Sequence, residues 1–185
     1  TRVRSSAASD VYKRQVKGVN PDIPVTTNMM TMYTYELNYF AFAPYLDVIS
    51  WDNYPQWHQP GWQEMVACEQ SITHDMMRTL KKQPFLLMEN TPNTTNWQGI
   101  SKLKKPGMHT LSLVNAVAHG ADSNQYFQLR QSRGSCEKFH SAVISHTGTE
   151  NTRTFREVTQ AGLLLEQLSP VYGSDSPAEV AILMD

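Results

Sequence analysis

Short apolar runs alternate along this chain with longer stretches in which apolar residues recur every three or four positions. The short runs are bounded by polar or turn-forming residues, a pattern that predicts buried β-strands. The longer stretches have the spacing of amphipathic helices. The predicted strands span residues 24–30, 47–51, 84–89 and 121–129, and the predicted helices span 33–45, 62–80, 108–119 and 154–168. Four β-α units favour a parallel α/β sheet with helical crossovers.

Local signals predict the ends and the buried faces of the helices. Thr154 and Glu157 have the spacing of a capping box at the start of the last helix. The third helix is expected to run through Leu111, Val114 and Val117, and Gly120 after it is expected to be its C-cap. The core positions expected in the second and fourth helices are Trp62, Met65, Val66, Glu69, Ile72, Met76, Leu80, Phe155, Val158, Gly162, Leu165 and Leu168.

The length of 185 residues allows one domain with a real core. Four β-α units correspond to half of an eight-fold (β/α)8 barrel, which typically needs ~250 residues, or to a complete small doubly wound sheet. Composition and periodicity leave both architectures open.

Charge and cysteine content exclude several partners. The formal net charge is -1, with 16 basic and 17 acidic residues, so no general attraction to nucleic acid or anionic lipid is expected. No apolar run approaches the roughly 20 residues that a membrane helix needs. Cys68 and Cys136 do not make a disulfide framework, so we predict a location in a reducing cytoplasm.

Candidate chemistry lies at the ends of the predicted strands. Glu89 ends the apolar run at 84–88, and the carboxyl edge of a parallel sheet is where catalysis occurs in barrels and open α/β sheets. For Glu89 alone, a surface acid at a strand end is the alternative. The other groups expected on the same rim are Asn28, the segment 51–54, Trp97, Glu137 and His140. A carboxylate, an imidazole, an amide and aromatic rings could together hold the hydroxyls and the C–H face of a sugar.

We expect neither a metal nor a cofactor. His58, Cys68 and His74 lack the spacing of zinc ligands, and the chain has no glycine-rich phosphate loop. His109 and His119 are expected to pack or cap the third helix. Three lysines, Lys102, Lys104 and Lys105, are expected to form a short solvated cluster.

Four segments together resemble the β-galactosidases of glycoside hydrolase family 42. They are VTTNMM, DVISWDNYP, PFLLMENTP with the following Trp97, and AVAHGADSNQYFQLRQSRGSCEKFH, collinear from about residue 21 to 168. The resemblance implies a (β/α)8 barrel followed by a glutamine-amidotransferase-like trimerisation domain. In that frame, residues 16–171 are the C-terminal half of the barrel, strands five to eight. Residues 172–185 would then be a linker and the first strand of the trimerisation domain.

The resemblance also implies roles for individual residues. Glu89 matches the catalytic nucleophile, and Trp97 matches an indole that lines the sugar subsite. Glu137 and His140 match the pair that binds galactose hydroxyls, and Phe127 resembles an aromatic residue of the same subsite. Tyr54 is placed like a tyrosine that hydrogen-bonds the nucleophile.

The implied reaction is hydrolysis of terminal β-D-galactosyl residues by double displacement with retention. The acid/base residue would precede this chain, so the chain alone is expected to be inactive and poorly soluble. The parent protein is expected to be a homotrimer. Two alternatives remain open, a catalytically silent sugar-binding barrel and a barrel that acts on α-L-arabinopyranosides.

Both ends of the chain look cut. Residues 1–15 have no apolar periodicity and resemble translated adapter sequence, so we exclude them from the expected fold. Residues 178–185 are predicted to be a strand that stops abruptly.

Overall fold

A computed structural model describes residues 2–31, 37–56, 60–175 and 177–183, with side chains described from residue 10 onward. The four strands are β1 (Asn28–Met29), β2 (Ser50–Asn53), β3 (Phe85–Asn90) and β4 (Ala121–Asn124). The α-helices are α1 (Arg2–Val19), α2 (Tyr39–Phe42), α3 (Gln63–Thr79), α4 (Met108–Ala118) and α5 (Arg153–Gln167). Short 3-10 helices span Ala43–Tyr45, Cys136–Phe139 and Ser169–Val171.

The strands form one parallel sheet in the order β1-β2-β3-β4. In the register, Asn28 lies beside Ser50, Ser50 beside Leu86, and Phe85 beside Ala121. The predicted four-stranded parallel α/β arrangement is therefore confirmed.

The core lies where β2 and β3 meet α3. Ile49, Trp51, Phe85, Leu87 and Met77 are all at most 1 % exposed. Burying a large apolar side chain stabilises a fold by roughly 1.5–3 kcal/mol. The central strands are therefore rigid supports for whatever follows their carboxyl ends.

Two outer strands are shorter than predicted. The segment before β1 is held partly by side chains, because Asp47 Oδ2 accepts from the Val25 N–H at 2.8 Å and the Thr26 hydroxyl donates to the Val48 carbonyl at 2.7 Å. After β4 the chain leaves the regular ladder, although the Gln125 N–H still donates to Leu87 O at 2.9 Å. The second strand is also shifted toward the C-terminus, from the predicted 47–51 to Ser50–Asn53.

Helix α3 forms as predicted, but three of the seven predicted core positions, Trp62, Met65 and Glu69, are exposed. Val66 is buried, and Met76 and Leu80 pack against the core as predicted. The helix buries Val66, Gln70, Thr73, His74 and Met77, whereas Trp62 and Met65 are 48 % and 55 % exposed. The physical reason is that the His74 ring stacks on Phe85 at 5.4 Å, so a partly polar face turns toward the sheet.

Helix α4 also turns an unexpected face inward. It buries His109, Ser112, Leu113 and Ala116, while Leu111 and Val114 are exposed. His109 and His119 do pack as expected: His109 Nε2 lies 2.9 Å from Tyr126 Oη, and His119 Nδ1 lies 2.8 Å from Asp75 Oδ1.

Two local predictions on helix ends have different outcomes. Gly120 follows α4 with φ +95°, and a Cβ there would lie 2.8 Å from Arg78 Cδ, so the position requires glycine. The capping box at Thr154 is wrong, because the N-cap of α5 is Thr152, whose hydroxyl accepts from the Phe155 N–H at 3.1 Å. Glu157 instead pairs with Arg153 at 2.8 Å. The helix also buries Glu157 and Ala161 and leaves Gly162 exposed.

The two ends of the chain differ from the expected pattern. Helix α1 runs through residues 2–15, and Lys13 and Lys17 on it lie 2.5 and 2.9 Å from the Asp47 carboxylate. Residues 177–183 contain no strand. Of the predicted helix at 33–45, residues 33–36 lie outside the described residues, as does His58. Within the described ranges, no helix has the length and apolar character needed to span a bilayer.

Candidate active site

Three neighbouring strands bring polar side chains to one edge of the sheet. Asn28 lies in β1, Asp52 in β2 and Glu89 near the end of β3, and the register places Asp52 directly beside Glu89. Because parallel strands share one direction, their carboxyl ends meet at the same edge. Two carboxyl groups on adjacent strands are therefore held close together.

One amide connects these two carboxyl groups. Asn28 Nδ2 donates to Asp52 Oδ1 at 2.9 Å and Oδ2 at 3.2 Å, and to Glu89 Oε1 at 3.2 Å. A side-chain amide has two N–H donors, so Asn28 can serve both acids at once. Asn28, predicted from sequence to bind substrate, thus lies against the predicted nucleophile.

Glu89 has a second donor on its other oxygen. The Tyr54 hydroxyl donates to Glu89 Oε2 at 2.5 Å. Burial first, and then this bond to Glu89, raise the pKa of Tyr54 far above its ordinary value. The hydroxyl therefore stays protonated and remains a donor to Glu89, as the sequence predicted.

Asp52 has an unusual charge environment. Burial raises the pKa of this carboxyl to about 6; the hydrogen bond from Asn28 opposes that rise, and the negative charge of Glu89 adds to it. Near neutral pH, Asp52 is therefore close to changing its charge while Glu89 lies beside it. The sequence placed Asp52 on the rim but gave it no role, and its position directly after a buried strand was the available signal.

Aromatic rings form a continuous row beside Glu89. Tyr54 packs edge-on against Trp97 at 5.9 Å and against His140 at 5.8 Å, and Phe127 packs edge-on against His140 at 4.9 Å. Trp97 is 56 % exposed, so its ring is accessible to a bound molecule, whereas His140 is 2 % exposed. Four residues that the sequence proposed separately are thus in contact.

Glu137 and His140 come from the segment that follows β4. Glu137 lies in the first turn of the 3-10 helix Cys136–Phe139, and its Oε2 accepts from Asn96 Nδ2 at 3.3 Å. His140 follows that helix, and its Nδ1 lies 3.0 Å from Ser141 O. A carbonyl oxygen only accepts, so Nδ1 carries the proton and Nε2 of the neutral ring is an acceptor. Asn96, which orients Glu137, was missed by the sequence reasoning.

The lysine cluster predicted from sequence is not fully solvated. Lys102 and Lys105 are exposed, but Lys104 is 5 % exposed and its Nζ donates to Thr91 O at 2.7 Å. The expectation for Lys104 is therefore wrong, because the side chain folds back under the loop that follows β3. Three lysines within four positions of a sequence carry no signal that separates a buried one from its neighbours.

A cavity of about 370 Å³ opens next to the rim. Its lining includes Trp51, Tyr54, Trp62 and Trp97, so indole and phenol rings surround it together with two acids, Asp52 and Glu69. Among the residues that the structure describes, no group of three or more His, Cys, Asp or Glu side chains could hold a metal ion. The site offers carboxylates, hydrogen-bond donors and aromatic faces, the groups that suit a polyhydroxylated ring.

Comparison with known proteins places the chain in a family. The family model of glycoside hydrolase family 42, described as β-galactosidase, matches residues 3–168. The chain is 53 % identical over 170 residues to the β-galactosidase BglY of Alicyclobacillus acidocaldarius, covering 92 % of this chain and 25 % of that protein. It is 48 % identical over 182 residues to the β-galactosidase Pbg of Clostridium perfringens, covering 95 % of this chain and 26 % of that protein.

Solved structures give the same result. The chain matches a cold-adapted β-galactosidase from Rahnella sp. R3 with a TM-score of 0.90 and 55 % identity, over 93 % of this chain and 25 % of that one. It matches a catalytic mutant of Gan42B, a GH42 β-galactosidase from G. stearothermophilus, with a TM-score of 0.86 and 46 % identity, over 92 % of this chain and 26 % of that one. The chain thus spans about a quarter of the length of these relatives. It belongs to glycoside hydrolase family 42.

Proposed function

We propose that this chain contributes the nucleophile and part of the sugar subsite to a retaining β-galactosidase. The observation that carries the proposal is the pair of donors on Glu89, Tyr54 on one oxygen and Asn28 on the other. Hydrogen bonds to an ionised carboxylate favour its charged form. A nucleophile in a retaining glycosidase must be ionised and must be aimed at one carbon atom.

The surrounding residues fit the recognition of galactose. Trp97 would stack on the apolar face of the sugar, since its ring is accessible and braced edge-on by Tyr54. Glu137 and Nε2 of His140 would accept hydrogen bonds from sugar hydroxyls. Phe127 would close the subsite behind His140.

In the proposed reaction, the Glu89 carboxylate attacks the anomeric carbon while a carboxylic acid protonates the departing glycosidic oxygen. Water then hydrolyses the galactosyl ester, and the second residue acts as base. That second residue would lie about 5–5.5 Å from Glu89 and would come from a part of the parent protein before this chain.

Family membership also supports a proposal for the wider architecture. The four strands would be strands five to eight of a (β/α)8 barrel, and residues 172–185 would lead into a trimerisation domain of a homotrimeric parent. Residues 1–15 are still proposed to be adapter-derived, although residues 2–15 lie in α1 and the family model matches from residue 3. We keep the cytoplasmic location as a prediction; Cys68 and Cys136 are both free and exposed.

The donors on Glu89 favour an enzyme over a silent sugar-binding barrel. Binding alone does not require two donors that fix the direction of one carboxylate. An α-L-arabinopyranoside differs from the galactoside only by lacking the C6 hydroxymethyl group. Comparing kcat/KM for the two 4-nitrophenyl glycosides separates these substrates.

The test uses the full-length protein that carries this chain and a 2-fluoro-galactoside with a good leaving group. This reagent traps the covalent glycosyl-enzyme, and peptide mass spectrometry then locates the label. We expect the label on Glu89 and release of one leaving group per active site. Label on another residue, or no labelling of a protein that hydrolyses galactosides, would overturn the assignment.

A further inference from the structure

Lys104 is buried at the back of the proposed site, between two exposed lysines at 102 and 105. Its ammonium donates to Thr91 O at 2.7 Å and to Asn90 Oδ1 at 3.4 Å. A buried charge is unfavourable unless it is hydrogen-bonded, so these two acceptors determine where the side chain lies. Both acceptors belong to the residues directly after Glu89.

Asn90, one of these two acceptors, connects the ends of two strands. Asn90 Nδ2 donates to Asn124 Oδ1 at 3.0 Å, which joins the end of β3 to the end of β4. The Asn90 carbonyl accepts from the Phe127 N–H at 3.1 Å. The placement of Asn90 therefore affects Glu89 on one side and Phe127 on the other.

Thr91, the other acceptor, connects through Ser141 to His140 of the proposed sugar subsite. Thr91 Oγ1 lies 2.9 Å from Ser141 Oγ, and the Ser141 N–H donates to Thr94 O at 3.0 Å. The Ser141 carbonyl in turn accepts from His140 Nδ1 at 3.0 Å. The loop that Lys104 fastens thus also fixes the imidazole orientation.

Titratable groups around Lys104 come from two helices, α4 and α5. Burial lowers the pKa of Lys104 to about 7, and the negative charge of Glu157 on α5 opposes that shift. Arg153 pairs with Glu157 and donates from Nη2 to the Lys104 carbonyl at 2.7 Å. His109 on α4 is kept neutral, since burial and then the charge of Lys104 lower the pKa of His109 to about 3. Lys104 is thus anchored through both its backbone and its ammonium.

We propose that Lys104 is a positioning residue that couples the nucleophile to the sugar-binding end of the site. Its ammonium holds residues 90–94, and through them it sets the places of Glu89, Phe127 and His140. The inference rests on the proposed function, because its effect is on galactoside hydrolysis. Removal of the ammonium should therefore disturb both the chemical step and galactose binding.

The test compares Lys104→Met with Lys105→Met in the full-length protein. Methionine keeps most of the length of lysine without the charge, and Lys105 is the exposed neighbour. We expect Lys104→Met to lose about 10- to 100-fold in kcat/KM, the effect of misplacing reacting groups by up to an ångström. We also expect a lower kcat and a higher inhibition constant for free galactose, with Lys105→Met unchanged in both.

A second variant covers the case in which Lys104→Met fails to fold. Ser141→Ala removes the hydroxyl that joins the loop to the His140 segment, so the galactose inhibition constant should rise more than kcat falls. If wild type is inactive on galactosides, the proposed function fails. If wild type is active and Lys104→Met changes only Tm, or if it does not fold and Ser141→Ala leaves the inhibition constant unchanged, the inference is overturned.

Discussion

The polar rim, formed by Asn28, Asp52, Tyr54 and Glu89, and the core around His74 both contain buried polar groups, but they differ in hydrogen bonding. On the rim, the two acids share the donor Asn28, and Glu89 has a second donor in Tyr54. Among the described residues, neither ring nitrogen of His74 has a hydrogen-bond partner, and the ring is held by contacts with Trp51 and Phe85.

The rim favours a defined geometry at the expense of stability. Its hydrogen bonds fix the direction of two carboxyl groups, although holding these acids close together is unfavourable for folding. In the core, burial lowers the pKa of His74 to about 3, so the ring is neutral at physiological pH and packs like an apolar group. Changes on the rim should therefore act on activity, and changes at His74 should act on stability.

The largest effect is expected from Glu89→Ala in the full-length protein. Loss of the proposed nucleophile should remove the covalent route and lower kcat by about 10⁴-fold or more. Steady-state kinetics with a 4-nitrophenyl galactoside measures the loss. Glu64→Ala, which removes an exposed acid from the first turn of α3, is the control. Near-normal kcat in Glu89→Ala would remove the basis for the rim as a catalytic site.

The next effect is expected from Tyr54→Phe. Phenylalanine retains the ring contacts with Trp97 and His140 but removes the donor to Glu89. Loss of one such donor should lower kcat by about 100-fold with a smaller change in KM. Tyr45→Phe, at an exposed tyrosine of the 3-10 helix Ala43–Tyr45, is the control. Equal kcat values for the two variants would contradict the role of the hydroxyl.

Asp52→Asn should affect activity and stability in opposite directions. The raised pKa of Asp52, about 6 against an ordinary 3.8, means that its contribution to stability is full below pH 3.8 and falls as pH rises through 6. Asparagine cannot ionise, so the variant should gain about 1–2 kcal/mol at pH 7, after allowance for solvent screening. We expect kcat to fall about 10-fold, since the orientation of Asn28 is loosened.

Urea unfolding of both proteins at pH 4 and pH 7 measures the gain. The difference in stability between variant and wild type should be larger at pH 7 than at pH 4. A variant that is destabilised equally at both values would show that Asp52 is not under electrostatic strain.

The smallest effect on activity is expected from His74→Phe. The lowered pKa of His74 means that the unfolded chain takes up a proton below about pH 6.5 while the folded chain does so only near pH 3. Wild type should therefore lose about 2 kcal/mol between pH 7 and pH 5 at this residue. His74→Phe should remove that loss and leave kcat unchanged at pH 7. His146→Phe, at an exposed histidine, should still lose stability between pH 7 and pH 5 as wild type does. If His74→Phe loses as much stability as wild type over this range, the assignment to His74 is wrong.

The sequence predicted the strands better than the contacts between them. A short apolar run such as 84–88 must be buried on both faces, so the strand and the place of Glu89 at its end follow from local pattern. The inner face of α3 does not follow from local pattern. Thr73 and His74 on this face are buried although they are polar, and the His74 ring stacks on Phe85. Apolar periodicity gives no weight to such residues.

The site shows the same division. Tyr54 and Glu89 were placed together by family resemblance, and their hydrogen bond is present. The roles of Asp52 and Lys104 depend on contacts between distant segments, such as the bond from Lys104 to Thr91 and the proximity of Asp52 to Glu89. Local sequence does not encode which of several lysines or acids makes such a contact.

The sharing of the single Asn28 side chain by two acids also makes the site sensitive to ageing. Asparagine amides hydrolyse slowly, and asparagine is among the thermolabile residues. Conversion of Asn28 to aspartate would replace the shared donor by a third carboxyl group, since Asn28 Nδ2 is the atom that contacts both Asp52 and Glu89. Deamidation of Asn28 would thus be expected to lower activity without unfolding the chain. The reaction would be detected as a mass increase of about one dalton in the peptide that contains Asn28.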